Sequence, residues 1–134
     1  MAGKLSVARM KALLSGNSMT SVSTSGDSTV GSGLVLSDVG TVAADGNNLA
    51  TAAAIAVHVT IVTAADATKG VKLPTDATTG EVYVVGNHAA AILKLYATSE
   101  TLNGVAGATG LSVSGSAAAL CIKSGAATWT VVLP

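Results

Sequence analysis

Gly80-Glu-Val-Tyr-Val-Val-Gly-Asn87 is the stretch on which the reading of this chain turns. Val82, Tyr83, Val84 and Val85 are four consecutive strand-favouring residues between glycines, and side chains in an extended chain alternate between faces. A run that is apolar at every position therefore asks for burial on both sides. The reading that follows is a strand with Val82 and Val84 in the core and Tyr83 and Val85 at an oligomer interface.

The same logic extends outwards. Upstream, Val57-His-Val-Thr-Ile-Val-Thr63 places Val59 and Ile61 on one face, taken as the core face, with His58, Thr60 and Val62 on the other. Val71 and Leu73 flank Lys72 before Pro74 ends the run, since proline cannot donate to a ladder. Downstream, Asn87-His-Ala-Ala90 predicts a hairpin turn into Ile92-Leu-Lys-Leu-Tyr96, with Leu93 and Leu95 inward. Asn103-Gly104 is a strong turn dipeptide. Two closing strands follow, with Leu120 and Ile122 sharing one face, and Trp129, Val131 and Leu133 another; Trp129 is expected at the centre of the core. Strands at this spacing predict an all-β domain, a small antiparallel β-sandwich or barrel, over residues 49–134.

Residues 1–48 read as an arm and linker. Lys4 to Leu14 has helical apolar spacing and so predicts a short N-terminal helix, and Ser15 to Gly33 is a low-complexity Ser/Thr/Gly stretch. Gly33-Leu-Val-Leu36 has the makings of a brief strand, and Asp45-Gly-Asn-Asn48 of a turn.

Composition narrows the function classes. The chain has 134 residues, of which 49% are nominally hydrophobic but only 2% aromatic, with no Phe, so its core must be thin and aliphatic. A thin core offsets little ordering entropy, which favours oligomerisation. Charged residues make up 10%, against about 25% in ordinary soluble domains. Lys4, Arg9 and Lys11 form a basic start, and the remainder is net negative. Three charges are too few for a nucleic-acid surface. The apolar stretches are too short for a signal peptide or a membrane span, so the chain is expected to be made in the cytoplasm and to bind no membrane.

No chemistry-bearing constellation emerges. Cys121 is the only cysteine, which excludes an intrachain disulfide and leaves it as a packing residue. His58 and His88 lack the company of further ligands, and no metal or cofactor is expected. Gly26-Asp-Ser28 lacks the context of a hydrolase serine, and Gly31-Ser-Gly33 lacks that of a dinucleotide fingerprint. Asp66, Asp76, Glu81 and Glu100 fall at predicted turns or strand edges, where solvated acids are ordinary. The expectation is a non-enzyme without a small-molecule substrate.

As an ordered set, Val57 to Thr63, Gly70-Val-Lys-Leu-Pro74, Gly80 to Asn87, Leu93-Lys-Leu-Tyr96, Thr101 to Gly104 and Trp129 resemble a recurrent β-domain of tailed-bacteriophage virion proteins. Gly86 departs from that pattern by interrupting the strand end before Asn87. The resemblance implies a virion structural protein, a homotrimer attached to the particle by its N-terminal arm. The expected function is capsid decoration: binding the major capsid protein on the outer surface of the head, through Lys4, Leu5, Arg9, Met10, Lys11 and Leu13. A head-fibre, tail-fibre or spike component displaying the β-domain is the alternative.

Overall fold

The computed structural model describes residues 38–134. The β-branched runs become strands and the Gly/Asn/Asp clusters become turns, giving β1 (Val39–Ala43), β2 (Ala53–Ala54), β3 (Val59–Ala64), β4 (Gly70–Lys72), β5 (Val82–Asn87), β6 (Leu93–Tyr96), β7 (Thr101–Leu102), β8 (Val105–Ala106), β9 (Leu111–Val113), β10 (Ala117–Gly125) and β11 (Thr128–Val132). No helix occurs among the described residues. β1 lies within the stretch read from sequence as arm.

The fold is all-β, as expected, but the connections are those of a β-solenoid and not of an antiparallel sandwich or barrel. A seven-stranded sheet has the order β1-β3-β5-β10-β11-β7-β8, and a four-stranded sheet has the order β2-β4-β6-β9. The first six strands alternate between the sheets, so β1-β2, β3-β4 and β5-β6 form three coils stacked in parallel. β9 and β10 then run antiparallel to β6 and β5, and β11 folds back on β10, closing the stack at that end.

The predicted β5–β6 hairpin is accordingly absent. From Asn87 to Ile92 the chain crosses to the other sheet, and the buried Asn87 side chain holds the crossing: Nδ2 donates to the carbonyls of Ala91 (2.8 Å), Ser114 (3.0 Å) and Val113 (3.2 Å), while Oδ1 accepts from the Ala89 amide. A turn residue that satisfies its neighbours' backbone groups in this way works equally well in a hairpin or a coil corner. The Asn103-Gly104 turn does form a hairpin, β7–β8, with both residues at positive φ (51° and 81°).

The core lies between the sheets. Leu73, Leu93, Leu95, Trp129 and Val131 are buried there, as read from sequence. In β3, β5 and β10 the inward phase is the opposite of the expected one. Thr60 and Val62, Tyr83 and Val85, and Ala119, Cys121 and Lys123 point inwards; Val59, Ile61, Val84 and Ile122 are only half-buried, and Val82 and Leu120 are exposed. In β10, Cys121 is register partner to both Tyr83 and Val131 and Lys123 to Trp129, so the small Ala119 and Cys121 lie beside the large rings of the neighbouring strands while Lys123 enters the layer on the buried Glu100. Tyr83 and Val85 therefore belong to the core instead of an interface. Leu133, grouped by sequence with Trp129 and Val131, is exposed beyond the end of β11.

Candidate interaction face

Three features compete for a functional role. The first is a polar cluster inside the seven-stranded sheet. Lys123 Nζ donates to Glu100 Oε1 at 2.6 Å and stands 5.0 Å from the centroid of Trp129, with both charged side chains almost fully enclosed. Tyr83 meets Trp129 edge-on (5.8 Å, 69°), and His58 stacks on Tyr83 (4.6 Å, 16°). Tyr83 also donates its hydroxyl proton to Glu81 Oε2 (2.9 Å), and Thr78 Oγ1 donates to Glu81 Oε1 (2.8 Å).

These bonds and the burial around them shift Glu81 and Tyr83. The Thr78 hydroxyl, then the Tyr83 hydroxyl, holds Glu81 below the usual carboxylate range. Burial, reinforced by Glu81, pushes Tyr83 up to about 12. A phenol held neutral in this way is poorly suited to proton transfer at neutral pH. Trp129 Nε1 has no hydrogen-bond partner, the one buried side-chain polar atom so placed among the described residues. The arrangement locks β5, β10 and β11 to the loop before β7.

Glu100 was expected in solvent and is instead buried. The signal in the sequence was Lys123, a charge continuing the apolar run Leu120-Cys-Ile and therefore in need of a buried partner. His58 is partly exposed, with Nδ1 3.9 Å from Asp38 Oδ2, and His88 is exposed. Asp66 and Asp76 are exposed as expected; the Thr68 hydroxyl lowers the Asp66 pKa. Among the described residues, no group of three or more His, Cys, Asp or Glu side chains is placed to hold a metal ion.

The second feature is a shallow hollow of about 410 Å³ lined by Asn48, Leu49, Ala50, Lys72, Thr98 and Ala108. Its rim is the β1–β2 loop, where Asn48 Oδ1 caps the amides of Ala50 and Thr51. It offers one lysine and otherwise small neutral side chains, and that set carries no recognisable chemistry.

The third feature is the outer face of the seven-stranded sheet. Val39, Val59, Val84, Leu120 and Val132 are register partners from strand to strand and form one apolar row across five strands. Ile61 lies on one side of this row, and the Val82–Ile122 pair on the other. Val132 is 53% exposed and Leu120 38%. Lys123 is the only charged residue in β1, β3, β5, β10 and β11, and it points inwards, so the face is free of charge. A contiguous apolar patch of this kind marks an interaction surface more often than an exposed core error. Sequence reading took the Val82–Val85 strand as apolar on both sides, and in β3, β5 and β10 it placed on the inside the face that lies outside.

The arm residues Lys4, Leu5, Arg9, Met10, Lys11 and Leu13 lie outside the described residues. Fold and face together define an all-β module of solenoid connectivity with an uncharged apolar sheet surface. No protein-family model, no curated protein and no solved structure matches the chain.

Proposed function

We propose that this chain is a virion structural protein of a tailed bacteriophage, a capsid decoration protein that acts through contact area and not through turnover. The observation that carries the reading is the charge-free apolar row from Val39 to Val132. Such a face is costly to leave in water and serves a chain that works assembled with others. The ordered set of motifs from Val57 to Trp129 points to the virion. In this reading the chain forms a trimer, and the basic arm with Lys4, Arg9 and Lys11 engages the major capsid protein on the outside of the head. A ligand that binds only the assembled lattice stabilises that lattice by mass action.

The test is binding of the purified chain to expanded heads, with and without residues 1–15. Saturable binding of the intact chain, lost on the deletion, supports the assignment; equal binding by both forms refutes the role of the arm. No binding by either form refutes decoration.

A fibre or spike component is the second reading, and the stacking direction favours it. Among the described residues, β1 and β2 are edge strands of their sheets at the same end of the stack, which is where a further coil would add. Copy number separates the two: hundreds per particle indicate the shell, and a handful the tail or vertices.

A further inference from the structure

We infer that the outer face of the four-stranded sheet docks on an acidic protein surface through Lys72 and Lys94. The inference rests on the head-binding part of the proposed function. It names the side of the chain that meets the head and the chemistry met there.

Register brings the two lysines together. Ala54, Lys72 and Tyr96 are partners across β2, β4 and β6, and Gly70, Lys94 and Ser112 across β4, β6 and β9. Val71, Leu93, Leu95 and Val113, the alternate positions of the same strands, fill the core, so both rows lie on the outside. Lys72 and Lys94 sit on adjacent strands two residues out of register, with Cα atoms about 8 Å apart.

Three observations select an acidic partner. The strands of this sheet hold no acid, and among the described residues neither lysine has a carboxylate within 4.0 Å. The other two described lysines are engaged, Lys123 with Glu100 at 2.6 Å and Lys69 with Asp66 at 4.0 Å. Asp45, bridged to Gly70 at the border of the face, accepts from the Gly46 amide at 2.8 Å.

Position in the sheet is the second observation. Lysines on an edge strand blunt it against stray pairing, but β4 and β6 are the inner strands of the order β2-β4-β6-β9. Like charges on neighbouring strands repel each other, and carboxylates brought up against them turn that cost into attraction. The third observation is sign. Lys4, Arg9 and Lys11 of the arm are also basic, so arm and sheet suit one and the same acidic partner.

The two outer faces are thereby complementary in use. The seven-stranded sheet presents an uncharged apolar row, and across the core the four-stranded sheet presents positive charge alone.

The experiment uses the full chain and expanded heads. Amine acetylation read by mass spectrometry is expected to show Lys72 and Lys94 losing most of their labelling when heads are bound, while buried Lys123 stays unlabelled in both states. Lys72→Glu with Lys94→Glu should weaken head binding at least about tenfold, and Lys72→Gln with Lys94→Gln should weaken it less. Sodium chloride should weaken binding of the wild type more than that of either variant. The labelling needs no variant, so it decides the case if charge reversal disturbs the sheet.

Heads that bind the intact chain while Lys72 and Lys94 stay labelled, or that bind the charge-reversed variant as tightly, overturn this inference and leave the head assignment standing. An intact chain that binds no heads overturns the head assignment and this inference with it. Protection of both lysines, with the graded loss in the two variants, supports both.

Discussion

Lys123 and Glu100 show how one charge in an apolar strand organises its surroundings. Both are almost fully enclosed, and removing one partner of such a pair leaves the other as an unpaired buried charge. Lys123→Met should therefore cost about 3–5 kcal/mol in urea unfolding, and the double change Lys123→Met with Glu100→Gln should recover much of that loss. A second prediction concerns alkaline pH. Burial pushes Tyr83 from 10.0 up to about 12 and Cys121 from 9.0 up to about 12. The folded chain keeps these protons where the unfolded chain gives them up, so their contribution is complete below about pH 9 and is lost as pH rises towards 12. The melting temperature should fall steeply over that window, and less steeply in Cys121→Ala. Equal slopes in the two proteins would remove the thiol from the account.

At the scale of elements, the coils are held in register by close approaches that sequence does not display. Gly70 in β4 is register partner to Lys94 in β6, and a Cβ there would run into the Tyr96 ring and the Lys94 carbonyl. Tyr96 lies against this backbone, and its hydroxyl donates to the Asn47 carbonyl in the β1–β2 loop at 3.3 Å. Gly70→Ala should lower stability by about 1–3 kcal/mol through overpacking. Combining it with Tyr96→Ala should cost less than the sum of the single losses, because the ring's share of the clash disappears while the approach to the Lys94 carbonyl remains. Full additivity would show that the glycine matters for another reason. Most strands were legible as β-branched runs, the β10–β11 hairpin as a turn-linked pair, and Asn103-Gly104 as a turn without the short strands β7 and β8 on either side. The β5–β6 hairpin was misread because Asn87-His-Ala-Ala90 carries turn chemistry without saying which strand the chain meets next.

The whole molecule is weakly charged, with zero net charge and a single ion pair buried among the described residues. If the chain associates with its partners through the uncharged face, as proposed, that association should respond little to sodium chloride from millimolar to near-molar levels, whereas sulfate should strengthen it by favouring apolar burial. Sedimentation in the two salts distinguishes these responses. A strong weakening by chloride would mean that charge, and not the apolar row, joins the copies.

Local chemistry in the sequence determined that the described residues are all-β and where most of their strands and turns fall, β1, β7 and β8 excepted, while the core proved aliphatic around a few buried rings, Trp129, Tyr83 and Tyr96. β-branching, Gly/Asn turns and the lack of Phe act within a few residues and need no knowledge of neighbours. Tertiary structure decided the parallel coiling, the pairing of Lys123 with Glu100, and which face of β3, β5 and β10 is inside. Those depend on which strand lies alongside and how much space its side chains take. In β5 both faces are apolar, so hydrophobicity alone has no preference, and Tyr83 lies inside where it meets the Trp129 ring edge-on and is register partner to the small Cys121.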